Sequence, residues 1–205
     1  MHSKKRKLAQ YVTLNVILGG LATLLFIGGA GILWASTLEI PDLSSFEQRK
    51  VEQSTKIYDR TGEILLYDLH ENAQRTIVPI DQVSTHIRNA TVAIEDADFY
   101  IHEGIRFSSI ARAVLANLTP GGITQGGSTI TQQVVKNALL TQDKTITRKV
   151  KEWVLAIKLE QAFPKDKILE IYLNESPYGG TVYGIEEATQ TFFGKPSKEV
   201  TIAEA

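Results

Sequence analysis

Residues 11–34 carry no charged side chain and are dominated by Leu, Ile, Val, Ala and Gly, interrupted only by Thr13, Asn15 and Thr23. Such a run predicts a helix that is hydrophobic on every side. As a helix it would extend about 36 Å, enough for a hydrocarbon core of about 30 Å. Beyond it the pattern becomes mixed, with Pro41 and Ser44-Ser45, and residues 35–53 read as a stalk. Residues 54–67 predict a hairpin, because Ile57 and Ile64-Leu65-Leu66 flank the turn sequence Asp59-Arg60-Thr61-Gly62. A second short strand is expected over residues 76–78, just before Pro79.

From Ser84 onward the spacing of apolar residues becomes helical. A first helix is expected over residues 84–95. A second is expected over about 106–118, where Phe107, Ile110, Ala111, Val114, Leu115 and Leu118 share one face and Thr119-Pro120-Gly121-Gly122 stops the chain. A third, with Ser128 as its cap, reaches Leu140. A fourth covers about 145–162, with Ile146, Val150, Trp153 and Ile157 on one side. Pro164 suits the first turn of a fifth, ending near Asn174. A sixth runs over 184–193, with Gly194 as its stop. Thr201-Ile202-Ala203-Glu204 has the spacing of a capping box. With only Ala205 after it, that start signal implies a sequence that continues beyond the stretch given. The pattern as a whole predicts a mainly α-helical fold of about six helices in one core, a small β element and an N-terminal transmembrane helix.

Composition narrows the chemistry. The 205 residues are 43% hydrophobic and 22% charged, which is ordinary for one globular domain. A net charge of −1 provides no drive toward nucleic acid. With no cysteine, disulfides, thiolate nucleophiles and cysteine-ligated metals are excluded. His2, His70, His86 and His102 form no H-x-x-x-H pair, so a histidine-rich zinc site is not expected. Lys4-Lys5-Arg6-Lys7 precedes the apolar run, whereas Glu39, Asp42 and Glu47 follow it. The positive-inside rule then places residues 1–10 in the cytoplasm and the chain after Trp34 outside. A cleaved signal peptide would carry a shorter apolar core and a small-x-small cleavage site, so the segment reads as an uncleaved anchor.

Three clusters carry groups able to do chemistry. Glu95-Asp96-Ala97-Asp98-Phe99 with His102 and Gly104 places carboxylates where a helix ends, beside an aromatic ring. A carboxylate there can serve as base or acid, although a solvated acidic loop is the plainer interpretation. Gly126-Gly127-Ser128-Thr129 leads into a helix start, a geometry suited to anions. Gln132 and Gln133 add amide donors, and Lys136 shares a helix face with Gln132 by its spacing. Arg148-Lys149 lies before Glu152, and the interval from 148 to 152 allows a surface ion pair worth little. Ala156, a turn further on, would leave space beside Glu152. Two carboxylates with cationic companions fit chemistry at a sugar anomeric centre.

These clusters resemble the signatures of the peptidoglycan glycosyltransferases, found as the amino-terminal domain of class A penicillin-binding proteins and as monofunctional enzymes. Glu95-Asp-x-x-Phe99-x-x-His102-x-Gly104 is similar to the first. Gly126-x-Ser128-Thr129-Ile-Thr-Gln132-Gln133-x-x-Lys136-Asn137 is similar to the second. Arg148-Lys149-x-x-Glu152-x-x-x-Ala156-x-x-Leu159-Glu160 is similar to the third. Ile168-Leu169-Glu170-x-Tyr172-Leu173-Asn174 and Tyr183-Gly184-Ile185 through Phe192-Phe193-Gly194-Lys195 resemble the fourth and fifth. Phe192 stands where the family usually has tyrosine, and Glu187 and Thr189 stand where small residues are usual.

The resemblance implies a lysozyme-like glycosyltransferase domain over residues 54–205, incomplete at its C-terminus. Its substrates would be lipid II and a growing lipid-linked glycan strand at the bacterial cytoplasmic membrane, alongside other cell-wall synthesis proteins. It implies catalytic roles for Glu95 and Glu152. It implies substrate contacts from Asp96, Phe99, His102, Ser128, Thr129, Gln132, Gln133, Lys136, Asn137, Arg148 and Lys149. No cofactor is required, and a divalent cation such as Mg or Mn near Glu152 or Asp96 is left open. Two alternatives use the same residues differently: a lysozyme-like glycan hydrolase, and a non-catalytic membrane-anchored scaffold.

Overall fold

The structure, a computed structural model, describes residues 2–37, 55–69, 74–106, 108, 127–140 and 145–205. The expected stalk and the expected helix over 106–118 fall almost wholly outside those residues, as does Gly126. The chain divides into two compact units, Met1–Ile40 and Pro41–Ala205.

The first unit is one helix, α1 (His2–Ser36). Within it, Thr13–Trp34 has the length and apolar composition of a membrane span, with a mean hydropathy of 2.2 and no part buried. Leu21, Leu24, Leu25 and Phe26 project around the helix and are all exposed. Water does not favour such a surface, so the helix is built for an apolar solvent.

The second unit is mainly helical with two small sheets. Strands β1 (Thr55–Tyr58) and β2 (Leu65–Leu69) pair antiparallel, Thr55 opposite Leu69 and Ile57 opposite Tyr67. This is the expected hairpin. Asp59 organises its turn, accepting from the Thr61 hydroxyl and from the N–H groups of Glu63 and Ile64 at 3.2 Å. Those bonds, the Thr61 hydroxyl first, hold the Asp59 carboxyl below its usual range. Gly62 takes the left-handed φ of 79° that closes the turn.

The other strand expectation needs correction. Strand β3 is Gln74–Arg75, two residues before the predicted segment. It runs parallel to β5 (Val182–Tyr183), which also pairs antiparallel with β4 (Pro177–Gly179). Val78 joins no ladder, because its backbone is bonded by a side chain: Asn174 Oδ1 accepts its N–H at 3.0 Å and Asn174 Nδ2 donates to its C=O at 2.8 Å.

Five described helices form the body. Helix α2 (Thr85–Glu95) is capped by Ser84, whose side chain accepts from His86 N–H. Helix α3 (Ile130–Leu139) packs against both α4 (Ile146–Ala162) and α5 (Lys165–Glu175). Helix α6 (Ile185–Phe193) starts from Gly184 and stops at Gly194, which is left-handed with φ 65°. Phe99, Ile130, Val135, Leu155, Leu159, Ile168, Leu169 and Leu173 are fully buried and form the shared core. Leu155, Ala156 and Leu159 with Glu152 define the buried face of α4, while Ile157 on the predicted face is 38% exposed. The apolar spacing of α4 therefore pointed to the wrong side, because one of its inward positions carries a glutamate.

Candidate active site

The first cluster begins where α2 ends. Glu95 is the last residue of that helix, and Asp96 closes it by donating its N–H to Val92 C=O. The two carboxylates then part. Asp96 turns inward and is 1% exposed. Its Oδ2 accepts the N–H of Ile130 at 3.1 Å and lies 2.8 Å from His102 Nε2. His102 Nδ1 accepts from Gly104 N–H at 3.1 Å, so the ring proton resides on Nε2 and is donated to Asp96. Glu95 instead remains exposed, with Oε2 accepting from Gln133 Nε2 at 2.8 Å.

The second cluster corrects the predicted helix start. Thr129, not Ser128, is the cap of α3. Its hydroxyl accepts Gln132 N–H at 3.1 Å, and Gln132 Oε1 accepts Thr129 N–H at 3.0 Å. The reciprocal box needs glutamine or glutamate three residues after the cap. Thr129 has Gln132 there, whereas Ser128 would have Thr131. The Thr129 hydroxyl also donates to Gly104 C=O at 2.7 Å. Thr129 and Gln132 are both buried. The partner of Lys136 on the open face is thus Gln133, three residues earlier. Lys136 and Asn137 are exposed there.

The third cluster is centred on Glu152, which is 1% exposed. The expected ion pair with Arg148 does not form. Lys149, three residues before Glu152, bonds its carboxylate and also donates to Ser128 Oγ at 3.0 Å. Thr145 caps the helix, its hydroxyl accepting the backbone N–H of Arg148 at 3.1 Å, and the Arg148 Nε is buried without a hydrogen-bond partner. Ala156 is fully buried, and Gly104 packs on its backbone: a Cβ at Gly104 would lie 2.7 Å from Ala156 O.

These contacts join the three clusters around the start of α3. Lys165, absent from the predicted site, adds a further tie. Its ammonium donates to His102 C=O at 2.6 Å and to Glu160 at 2.7 Å, and it lies 4.5 Å above the buried Phe99 ring. Glu160 also accepts from the Thr131 hydroxyl at 2.5 Å. A lysine in the first turn of a helix opposes the helix dipole, and that is the sequence signal by which it could have been found. Tyr172 and Tyr178 were missed too. Burial pushes both phenols up, with a smaller contribution from the Glu95 charge and, for Tyr178, from Tyr172.

Among the described residues, no group of three or more His, Asp or Glu side chains could hold a metal ion. Asp96 is engaged by His102, the Ile130 amide and, through Oδ1, Arg106 at 3.6 Å; Glu152 is engaged by Lys149. Asp96 Oδ1 accepts no hydrogen bond.

A family model described as Transglycosylase matches residues 62–205. Penicillin-binding protein 1A of Aquifex aeolicus (strain VF5) is 42% identical over 186 residues, which cover 91% of this chain and 25% of that protein. Penicillin-binding protein 1F of Bacillus subtilis (strain 168) is 40% identical over 201 residues, 98% of this chain and 27% of that protein. Penicillin-binding protein 1A of Neisseria cinerea is 39% identical over 189 residues, 90% of this chain and 23% of that protein. The chain thus spans about a quarter of the length of the curated relatives it matches.

Proposed function

Because the chain belongs to the transglycosylase family, we propose that it is a glycosyltransferase of peptidoglycan synthesis that polymerises lipid II into β-1,4-linked glycan strands. The observation that carries this reading is the convergence of two carboxylates on one helix start. Glu95 is linked to Gln133 in the first turn of α3, and Glu152 is linked through Lys149 to Ser128, just ahead of the cap. From Thr129 to Gln133 the helix axis advances only about 6 Å.

In the proposed reaction Glu95 removes the proton from the 4-hydroxyl of the acceptor sugar. That oxygen attacks the anomeric carbon of the growing strand, forming the new C1–O4 bond with inversion. The bond from C1 to the pyrophosphate oxygen breaks, and polyprenyl pyrophosphate leaves with the electron pair. Lys136, exposed on the face that carries Gln133, supplies positive charge for the leaving group, as do Arg148 and Lys149. Glu152 orients Lys149. Thr129, Gln132, Asp96, Phe99 and His102 are buried or nearly so, and they shape the site by holding the loop and the helix start together. Residues 11–34 anchor the site in the cytoplasmic membrane, where the polyprenyl substrates reside, and raise their effective concentration.

The test is Glu95→Gln in the full-length protein, assayed on lipid-linked disaccharide pentapeptide. Loss of a positioned base costs about 10²–10⁴ in rate, so polymer should disappear while the protein remains folded. Near-parental polymer formation sinks the base assignment. A parent protein that shortens glycan instead of extending it establishes a hydrolase.

A further inference from the structure

We propose that Gln133 is the positioning residue for the Glu95 carboxylate, acting through that glutamate and not through the sugar donor. The inference rests on the function proposed above and assigns the amide a different task within it.

Glu95 lies at the C-terminal end of α2, where the helix dipole disfavours a carboxylate. It is exposed, and among the described residues no ion pair holds it. An exposed glutamate turns about three side-chain bonds, so without a partner its oxygens would sample many positions. Gln133 provides that partner at 2.8 Å. A carboxylate only accepts hydrogen bonds, so the amide must present its NH2 group.

The backbone fixes both ends of this contact. Asp96, the next residue, accepts the N–H of Ile130, the first residue of α3. Gln133 stands one turn further along that helix. Its amide thus lies at a set distance from Glu95 before any substrate arrives. A neutral donor also orients the carboxylate without the strong pairing of a cation, which would compete with the incoming proton. With Oε2 engaged by Gln133, Oε1 is the oxygen assigned to receive the proton from the acceptor hydroxyl.

The experiment uses the full-length protein with lipid-linked disaccharide pentapeptide. Gln133→Met keeps the side-chain length without a donor, and Gln133→Ala removes both. Misplacing a reacting group by about 1 Å costs about 10²-fold. Both variants should lose about 10- to 100-fold in kcat, with KM unchanged and with Gln133→Met still folded at the assay temperature. A raised KM with kcat retained would show that the amide binds substrate, and would overturn the proposal. So would unchanged kinetics, or unfolding of both variants. A second arm needs no turnover. Thermal midpoints of Glu95→Ala, Gln133→Met and the double variant should be non-additive, and additivity overturns the pairing. A parent protein without polymerase activity brings down the function, while the midpoints still decide whether Gln133 holds Glu95.

Discussion

Gly104 is held by two constraints at once. Its φ of 86° is left-handed, and a Cβ there would come within 2.7 Å of Ala156 O and 3.1 Å of Glu160 Cγ. The dihedral alone costs a non-glycine residue roughly 1–2 kcal/mol, and the backbone of α4 cannot yield as a flexible side chain would. Gly104→Ala should therefore destabilise the protein by more than about 2 kcal/mol, read as a lowered denaturation midpoint. It should also cut polymer formation, since Gly104 bonds both His102 and Thr129. Asn174 is a second such residue. Asn174→Ala leaves the buried N–H and C=O of Val78 without partners, at about 1–3 kcal/mol for each stranded group, and a chemical unfolding curve would register it. Both positions stand in recognisable signatures, so their presence was legible in the sequence. Their reasons were not, because a 2.7 Å approach and a side chain that bonds a distant backbone are facts of three-dimensional contact. The same holds for Glu152: its residue type and place were visible, but its choice of Lys149 over Arg148 depends on rotamers that spacing does not set.

At the scale of elements, the helix start before Ile130 shows what local chemistry encodes and where it fails. A glycine-serine-threonine run announces a cap, yet only the residue three places on decides which hydroxyl serves. Thr129→Ser retains the hydroxyl and should be nearly silent. Thr129→Val removes the cap, worth about 1 kcal/mol, and strands Gly104 C=O, so a loss of about 2 kcal/mol is expected in thermal unfolding. Helix α4 failed in a different way. Periodicity assumes that inward positions are apolar, and the buried Glu152, paired with Lys149, breaks that assumption. The final turn makes a pH prediction. Glu204 accepts from Lys195 Nζ at 2.6 Å and from the Thr201 hydroxyl and N–H at 2.7 and 2.9 Å. These bonds, Lys195 first, hold its carboxyl down at about 2. A depressed folded value stabilises above the unfolded value and is lost as the group protonates. Glu204→Gln should thus lower the thermal midpoint at pH 7. The gap from the parent should close as pH falls from about 4.5 toward about 2. A gap that persists at pH 2 would assign the loss to something other than this charge.

For the whole molecule, the deciding question is which side of a membrane carries the site. Helix α1 contains a span of sufficient length, and its apolar side chains are uncovered. Lys4, Lys5, Arg6 and Lys7 precede it, and acidic residues follow. By the positive-inside rule a basic run of this kind stays on the cytoplasmic side, and the orientation proposed from it, with Pro41–Ala205 outside, can be tested directly. Within Pro41–Ala205, Lys56 of β1 ties the hairpin to the helical body by bonding Glu187 at 2.7 Å, and the hydroxyl of Thr76, beyond the hairpin, bonds the same oxygen at 2.9 Å. Glu187 departs from the small residue usual in the family, and its partner lies 131 positions away, beyond any local pattern. The chain contains no cysteine, so single introduced thiols report cleanly. Arg60→Cys, in the exposed hairpin turn, should react with a membrane-impermeant maleimide in intact spheroplasts. Ser3→Cys, ahead of the basic run, should react only after permeabilisation. Replacing Lys4, Lys5, Arg6 and Lys7 together with glutamine should weaken this asymmetry, because the charges and not the apolar run decide direction. The opposite labelling pattern in the two single-cysteine variants with the basic run intact would put Glu95 in the cytoplasm. There it could not act on substrate presented at the outer leaflet, and the polymerase reading would fail on topology alone.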